Sequence, residues 1–290
     1  MSTILEPTIP IPQAFEVEIE DVEYQRQANE PLLARVYRPK GTAAQVAILD
    51  VHGGAWSQMD RTAQASFNQA MAAQGALVVA IDFRMPPRYP YPAQIADANF
   101  ATRWLKLHAA ELGAAAGAPF GLFGGSSGGH VVILSAMRPR DPRFSALTLA
   151  GGEGLDASVD FVVADAPVTD PEAGYRHAEE VGRTQFLERY RSFWTTDADV
   201  ADGSPTRILE RGDAVVLPPL FISQGTADDS VPIDSTRNFV RLYQAAGGQA
   251  ELLEFEGLGH GFILFEPQRA ESLRQAEAAN AFIRAHTPAR

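Results

Sequence analysis

The chain has 290 residues, of which 46% are hydrophobic and 21% are charged, and these proportions exclude an intrinsically disordered or collagen-like protein. Its 24 basic and 36 acidic side chains give a net charge of −12, which disfavours binding to a phosphate backbone or an anionic lipid surface. The sequence contains no cysteine, so disulfides, cysteine-ligated zinc, iron–sulfur clusters and a cysteine nucleophile are excluded. We therefore expect neither nucleic acid nor a membrane among its partners.

The N-terminal segment Met1–Pro7 lacks the basic and apolar regions that are typical of a secretory signal. No apolar run in the sequence approaches the roughly 20 residues that a membrane helix needs. From these two features we expect a cytoplasmic protein.

The first predicted element is a β-hairpin. From Phe15 to Arg26 apolar and charged residues alternate, which is the period-two pattern of a half-exposed strand. Leu32–Tyr37 is predicted as the partner strand, and the residues between them, ANEP at 28–31, are typical of a turn.

From residue 46 onward, apolar runs alternate with segments of helical spacing. The predicted strands are Val46–Val51, Ala76–Ile81, Phe120–Phe123, Val159–Ala164, Leu220–Ser223 and Ala250–Phe255. The predicted helices are Thr62–Gln74, Gln94–Leu112, Val131–Met137, Pro232–Ala246 and Arg269–Ala285. This alternation predicts βαβ units and a doubly wound, mostly parallel sheet with helices on both faces.

One segment, Asp170 to Arg211, interrupts the alternation. It is more polar than its surroundings and carries several aromatic residues, Phe193 and Trp194 among them. We interpret it as a small insertion, or cap, over the edge of the sheet within a single domain that spans residues 1–290.

The strongest chemical signal is a glycine-rich turn at residues 123–130, with the sequence FGGSSGGH. It contains Gly-x-Ser-x-Gly in two registers, centred on Ser126 or Ser127, between a predicted strand and a predicted helix. That context is the one in which a strained turn exposes a nucleophilic serine above a sheet. A phosphate-binding loop would instead need a terminal lysine or a Gly-x-Gly-x-x-Gly spacing, and neither is present.

A second glycine-rich loop, HGGAW at residues 52–56, directly follows a predicted buried strand. Loops of this His-Gly-Gly type lie upstream of the serine and supply backbone N–H groups to an oxyanion. Glycine suits this role because the backbone must approach the oxyanion closely. His52 belongs to the loop, so we interpret it as an orienting residue and not as a base.

A carboxylate and a histidine complete the pattern. Asp228 and Asp229 follow a predicted strand, and adjacent side chains in an extended segment point to opposite sides, so one of them can face an imidazole. We predict Asp228, since Asp229 is better placed to satisfy N–H groups at the helix expected to begin at Pro232. The chain order Ser…Asp…His leaves His260 or His286, and the glycine-flanked His260 is the predicted base.

Aromatic residues near these motifs are candidates for substrate binding. We expect Trp56, Tyr89, Tyr91, Phe193 and Trp194 to line the entrance to a small pocket that favours short acyl chains. The competing interpretation is that they are ordinary core residues.

From about Val46 to its end, the chain resembles the hormone-sensitive-lipase-like esterases of the α/β-hydrolase superfamily, near the kynurenine-formamidase and feruloyl/acetyl-esterase-like groups. The resemblance rests on HGGAW at 52–56, IDFR at 81–84, YPAQIAD at 91–97, RWL at 103–105, GGSSGGH at 124–130, GTAD at 225–228 and GHGF at 259–262. It implies an α/β-hydrolase fold with a sheet of about eight strands, flanking helices and the small insertion.

The resemblance also implies roles for particular residues. In the family pattern the serine before x-Gly-Gly is the nucleophile, which selects Ser126, and the N–H groups of Gly53, Gly54 and Ser127 form the oxyanion hole. Asp170, after the sixth strand, is structural in that pattern. Ala55 and Ser127 depart from the residues usual in the family, which leaves the subfamily and the substrate open.

Together these features predict a serine carboxylic-ester hydrolase that acts on short-acyl esters through an acyl-enzyme. The alternatives are an arylformamidase-type amidase and a hydrolase-fold protein that binds ligands without turnover. No cofactor is expected, and no metal site, because histidines and carboxylates do not recur at the spacings that metal sites use. The expected partner is a small-molecule ester, and the sequence is compatible with a homodimer.

Overall fold

The N-terminal hairpin has the predicted form. The computed structural model of the protein describes residues 14–27 and 29–287, so Met1–Pro7 and Ala28 of the hairpin turn lie outside the described residues. Strands β1 (Val17–Gln27) and β2 (Glu30–Pro39) pair in antiparallel register from Val17 opposite Pro39 to Gln27 opposite Glu30. The two strands form one edge of the main sheet.

The sheet has eight strands in the order β1-β2-β4-β3-β5-β6-β7-β8. The remaining strands are β3 (Val46–Val51), β4 (Ala76–Ile81), β5 (Phe120–Gly125), β6 (Phe161–Asp165), β7 (Leu220–Gly225) and β8 (Ala250–Phe255). All pairs from β4 to β8 are parallel, whereas β2 pairs with β4 in the antiparallel sense. This architecture confirms the predicted α/β fold and its mostly parallel, eight-stranded sheet.

Helices cover both faces of the sheet, which explains the uninterrupted apolar runs of the central strands. On one face Leu49 of β3 packs in the core that contains Ile95 of α2 (Ala93–His108) and Val132 of α3 (Ser127–Met137). On the other face Ile48 packs in a second core with residues of α1 (Ala65–Ala73) and α10 (Ala270–Ala285). The other helices outside the segment between β6 and β7 are α8 (Ile233–Ala245) and the short α9 (Phe262–Phe265).

The segment between β6 and β7 contains four helices. They are α4 (Pro171–Glu180), α5 (Thr184–Phe193), α6 (Asp197–Gly203) and α7 (Pro205–Glu210). Asp170 caps the first of them, because its carboxylate accepts a hydrogen bond of 3.1 Å from the Ala173 N–H. Asp170 is therefore structural in this fold, as the sequence indicated.

Two further features concern the whole described chain. No helix within residues 14–27 and 29–287 is long and apolar enough to cross a membrane. Among the same residues no group of three or more histidine, aspartate or glutamate side chains could hold a metal ion.

Candidate active site

Ser126 lies at a strained turn between β5 and α3. Its backbone has φ 53° and ψ −119°, a conformation that costs free energy for any residue with a side chain. The turn is tight, and a Cβ on Gly128 would overlap the carbonyl oxygen of Val51 in the neighbouring strand β3. Glycine at this position lets the helix start directly against the sheet, which raises the serine above the strand ends.

His260 joins Ser126 to Asp228. Its Nε2 lies 2.9 Å from the Ser126 Oγ and its Nδ1 lies 2.8 Å from Oδ2 of Asp228. Because a carboxylate can only accept, Nδ1 carries the proton, and Nε2 of the neutral ring then accepts a hydrogen bond from the serine hydroxyl. The three predicted residues therefore form one hydrogen-bonded line, although they come from three separate loops.

The Asp228 carboxylate is held on both oxygens. Its Oδ1 accepts hydrogen bonds of 2.8 Å from the N–H groups of Ser230 and Val231, and its side chain is fully buried. Asp229 instead forms an exposed ion pair of 3.1 Å with Arg183. The expectation that Asp229 would satisfy N–H groups at the start of the next helix is wrong, because no described side chain caps α8 and the Asp229 carboxylate pairs with Arg183.

The environment of His260 favours its charged form. Burial lowers the pKa of the imidazole, but the hydrogen bond to Asp228 and the charges of Asp228 and Asp165 outweigh it, so the pKa lies above its ordinary value. An imidazole with a raised pKa accepts a proton from a serine hydroxyl more readily. His286, the other candidate base, bonds to the Phe282 carbonyl in the last helix.

The His-Gly-Gly loop lies beside Ser126. A Cβ on Gly53 would lie 3.4 Å from the Ser126 Cβ, so the loop backbone passes next to Ser126. Gly54 has φ 96° and a Cβ there would overlap the Gln58 carbonyl, so only glycine fits. His52 is buried, and its ring stacks on Phe83 at 4.3 Å between ring centres, which agrees with an orienting role.

Trp56 ties this loop to the insertion. Its backbone N–H donates a bond of 3.0 Å to the Ser127 hydroxyl, and its indole N–H donates one of 3.1 Å to Nδ1 of His130. The other ring nitrogen of His130, Nε2, lies 2.9 Å from the carbonyl oxygen of Gly203 in α6. Since Nδ1 accepts, Nε2 is the protonated nitrogen, and burial lowers the pKa of His130 to about 4. The ring is therefore neutral and fixed in one tautomer.

The aromatic residues expected at the pocket entrance are not there. Trp56, Tyr91, Phe193 and Trp194 are buried, and none of them lines the cavity at Ser126. Trp56 stacks on Phe193 at 4.6 Å between ring centres, and Tyr91 packs on Trp194 at 4.9 Å. That expectation is wrong because these rings pack against one another and join the insertion to the loop.

Tyr89 is also absent from the cavity. Its ring lies under the guanidinium groups of Arg84 and Arg88, at 5.4 and 5.0 Å. The expectation that Tyr89 contacts substrate is therefore wrong as well.

A cavity of about 190 Å³ opens at Ser126. Its lining includes the buried Phe67, Phe123 and Ile263 and the exposed Met59 and Phe265. The sequence interpretation missed these residues as cavity walls, because all but Phe123 lie outside the motifs and the motif at 123–130 was interpreted through its glycines and serines. Several belong to α1 and α9, the helices that the fold brings to this edge of the sheet.

Asp165 is a buried carboxylate on the same cavity. Its Oδ1 accepts hydrogen bonds of 3.1 Å from the Ser223 hydroxyl and 2.8 Å from the Gln275 amide. Burial raises its pKa to about 6, while the neighbouring His260 opposes that shift. The sequence contained one usable signal, since Asp165 ends an apolar strand at the edge where α/β sheets bind ligands.

Known proteins are similar to this chain in both sequence and fold. The profile of the BD-FAE family matches residues 35–242. Esterase LipC of Mycobacterium tuberculosis is 32% identical over 245 residues, which cover 82% of this chain and 58% of that relative. The carboxylesterase NlhH of the same species is 30% identical, with coverage of 84% and 76% respectively. The chain thus spans little more than half the length of LipC.

Solved structures give the same result. The butyrate-bound esterase Est2 of Thermogutta terrifontis superposes with a TM-score of 0.71 and 27% identity over 96% of this chain and 95% of that one. Esterase B of Lactobacillus rhamnosis reaches a TM-score of 0.79 at 20% identity over 97% and 88%, a likeness that concerns the fold alone. By its family profile, its relatives and its fold, the chain belongs to the BD-FAE family and to the hormone-sensitive-lipase-like α/β-hydrolases.

Proposed function

We propose that the protein is a serine carboxylesterase. The observation that carries this proposal is the hydrogen-bonded line from Ser126 through His260 to the buried Asp228, with the serine at the mouth of a cavity. A serine, an imidazole and an orienting carboxylate in this order are the groups that make a hydroxyl nucleophilic. The esterase names of the relatives support the same reaction.

The proposed reaction has two halves. In the first, Ser126 Oγ attacks the acyl carbon of the ester while His260 accepts the hydroxyl proton, and the N–H groups of Gly53, Gly54 and Ser127 bind the oxyanion. The imidazolium then protonates the departing alcohol oxygen, and an acyl-enzyme remains on Ser126. In the second half, His260 deprotonates a water that attacks the acyl carbon, and the carboxylic acid leaves as Ser126 regains its proton.

We propose short acyl chains as substrates. Buried aromatic and aliphatic side chains bound the cavity at Phe67, Phe123 and Ile263, which restricts the space for an acyl tail. Butyrate is the ligand named for the Thermogutta esterase, whose fold this chain shares.

The same residues could cleave an N-formyl amide, so the test compares two substrates. Phenyl acetate and N-formyl aniline are assayed in parallel with the wild type and with Ser126→Ala. We expect hydrolysis of phenyl acetate by the wild type alone, with little turnover of the amide. Preferential cleavage of the formyl amide would replace the proposal with an arylformamidase-type activity.

Labelling with a fluorophosphonate probe separates an enzyme from a ligand-binding protein. We expect the probe to modify wild-type Ser126 and to leave Ser126→Ala unlabelled, because only an activated serine reacts. A wild-type protein that neither reacts with the probe nor hydrolyses either substrate would contradict the proposed function.

We further propose that residues 170–211 act as a small cap within a single domain, and that the protein works in the cytoplasm without a cofactor. The four helices between β6 and β7 support the first statement. Cell fractionation tests the location, and light scattering tests whether the protein forms the homodimer that the sequence permits. Removal of metals by chelation is expected to leave hydrolysis unchanged.

A further inference from the structure

One cation on the cavity has no partner among the described residues. Arg189, in α5 of the insertion, lines the cavity together with Ser126 and His260. Its side chain is half-buried, and it makes no ion pair, hydrogen bond or ring contact with the residues of 14–27 and 29–287.

The neighbours of Arg189 along α5 cannot neutralise it. Residues three and four positions away on a helix are the ones that touch, and here they are uncharged: Gln185, Phe186, Ser192 and Phe193. The second arginine on the cavity, Arg183, differs in this respect, since it pairs with Asp229 at 3.1 Å and contacts the Ser230 hydroxyl. Arg189 is thus the cavity cation that is still available to a ligand.

The carboxylate that lines the same cavity is already engaged in other interactions. Asp165, the carboxylate on the cavity, accepts hydrogen bonds from Ser223 and Gln275 and lies next to His260. A guanidinium that is partly removed from water without a counter-ion is unfavourable, and an anion restores the lost interactions. The chain has 36 acidic and 24 basic residues, so carboxylates that could pair with arginine are in excess, and yet Arg189 has no such partner among the described residues.

We propose that the preferred esters carry a carboxylate and that Arg189 binds it. This inference rests on the proposed esterase function. A guanidinium presents parallel N–H donors that match a carboxylate, which makes arginine well suited to the task. The exposed Met59 and Phe265, also on the cavity, would contact an apolar part of the substrate between its carboxylate and its ester bond.

Two matched substrate pairs test the proposal. In the first pair the charge is on the acyl side: mono-p-nitrophenyl adipate against p-nitrophenyl hexanoate, which have the same chain length. In the second pair it is on the alcohol side: para-acetoxybenzoate against para-acetoxybenzamide. The readout for each pair is the ratio of kcat/KM for the anionic ester to that for the neutral ester.

We expect Arg189→Gln to lower this ratio by about tenfold or more in at least one pair, the loss typical of a hydrogen bond to a charged group. The pair that responds shows which side of the ester carries the carboxylate. Arg191→Gln is the matched control, because Arg191 lies on the same helix but bonds to Tyr175 and lines a different pocket. For Arg191→Gln we expect the ratio to stay within about twofold of the wild-type value. An unchanged ratio in both pairs for Arg189→Gln would overturn the proposal.

A binding measurement separates this proposal from the esterase function. If the wild type hydrolyses no ester and resists the fluorophosphonate probe, the proposed function fails. Calorimetric titration with adipate then still tests whether Arg189 binds a carboxylate. Weaker binding to Arg189→Gln than to the wild type and Arg191→Gln supports the subsite, and equal or absent binding to all three contradicts it.

Discussion

The backbone N–H of Trp56 donates a hydrogen bond of 3.0 Å to the hydroxyl of Ser127, the residue that follows the proposed nucleophile Ser126. This bond joins the loop that carries Gly53 and Gly54 to the first turn of α3. It gives the Ser127 hydroxyl a structural role and leaves the Ser126 hydroxyl alone in contact with His260. The two serines are adjacent in sequence, but their side chains serve different purposes.

Replacement of each serine distinguishes these roles. Ser126→Ala is expected to lower kcat by roughly 10⁴ or more, because the nucleophile is lost. Ser127→Ala leaves the buried Trp56 N–H without an acceptor and is expected to cost about tenfold in kcat. Kinetics on a p-nitrophenyl ester measure both, and a larger loss in Ser127→Ala would show that the nucleophile is assigned one residue too early.

The two adjacent aspartates are expected to differ in the same way. Asp228→Asn disturbs the tautomer of His260 and should lower kcat by about 10² to 10⁴. Asp229→Asn affects an exposed ion pair with Arg183 and should cost less than about tenfold, as should Asp170→Asn at the start of α4. Melting temperatures of the variants control for unfolding. Near-normal kcat in Asp228→Asn would refute the assignment.

Asp165 should influence the pH dependence. The charge of Asp165 raises the pKa of His260, and His260 must be neutral to accept the serine proton. The acid limb of kcat/KM should therefore lie above the ordinary histidine range in the wild type. It should move to lower pH in Asp165→Asn, where one of the charges that favour the imidazolium is gone. Asp170→Asn is the control, and an acid limb that stays fixed in Asp165→Asn would count against this coupling.

His130 should make stability depend on pH. Its pKa is about 4 in the fold against 6.5 when unfolded, so below pH 6.5 the unfolded chain binds a proton that the folded chain does not. The free energy of unfolding therefore keeps its full value above pH 6.5 and falls by on the order of 3 kcal/mol as the pH approaches 4. His130→Gln keeps a donor and an acceptor but does not titrate. Urea unfolding at pH 7 and 4.5 should show a smaller loss in the variant, and equal losses would argue against a neutral His130.

Acyl length is the last expectation. Because buried side chains at Phe67, Phe123 and Ile263 bound the cavity, we expect little space there for a long acyl chain. Across p-nitrophenyl esters from acetate to palmitate, kcat/KM should favour hexanoate and shorter chains over dodecanoate by about tenfold or more. A preference for dodecanoate or longer chains would contradict the short-acyl proposal.

Local sequence patterns were sufficient to predict the main strands of the sheet and the loops that carry the candidate site. Strands β3 and β4 have the bounds that their apolar runs predict, since a strand buried on both faces needs apolar residues throughout. The glycines around Ser126 and at Gly54 are required by close backbone approach, a constraint that leaves a visible mark in the sequence. The order of Ser126, Asp228 and His260 along the chain could likewise be recognised without knowing how far apart these residues lie in space.

Only the tertiary structure decided which side chains meet. Trp56, Phe193 and Trp194 are aromatic residues of the kind that often line a binding pocket, yet they form a buried stack because the C-terminal end of α5 packs onto the His-Gly-Gly loop. Asp165 and Arg189 lie in no motif, and they reach the cavity through the end of β6 and through a helix of the insertion. A sequence records the constraints that each segment imposes on itself, whereas contacts between distant segments depend on how the packed core arranges them.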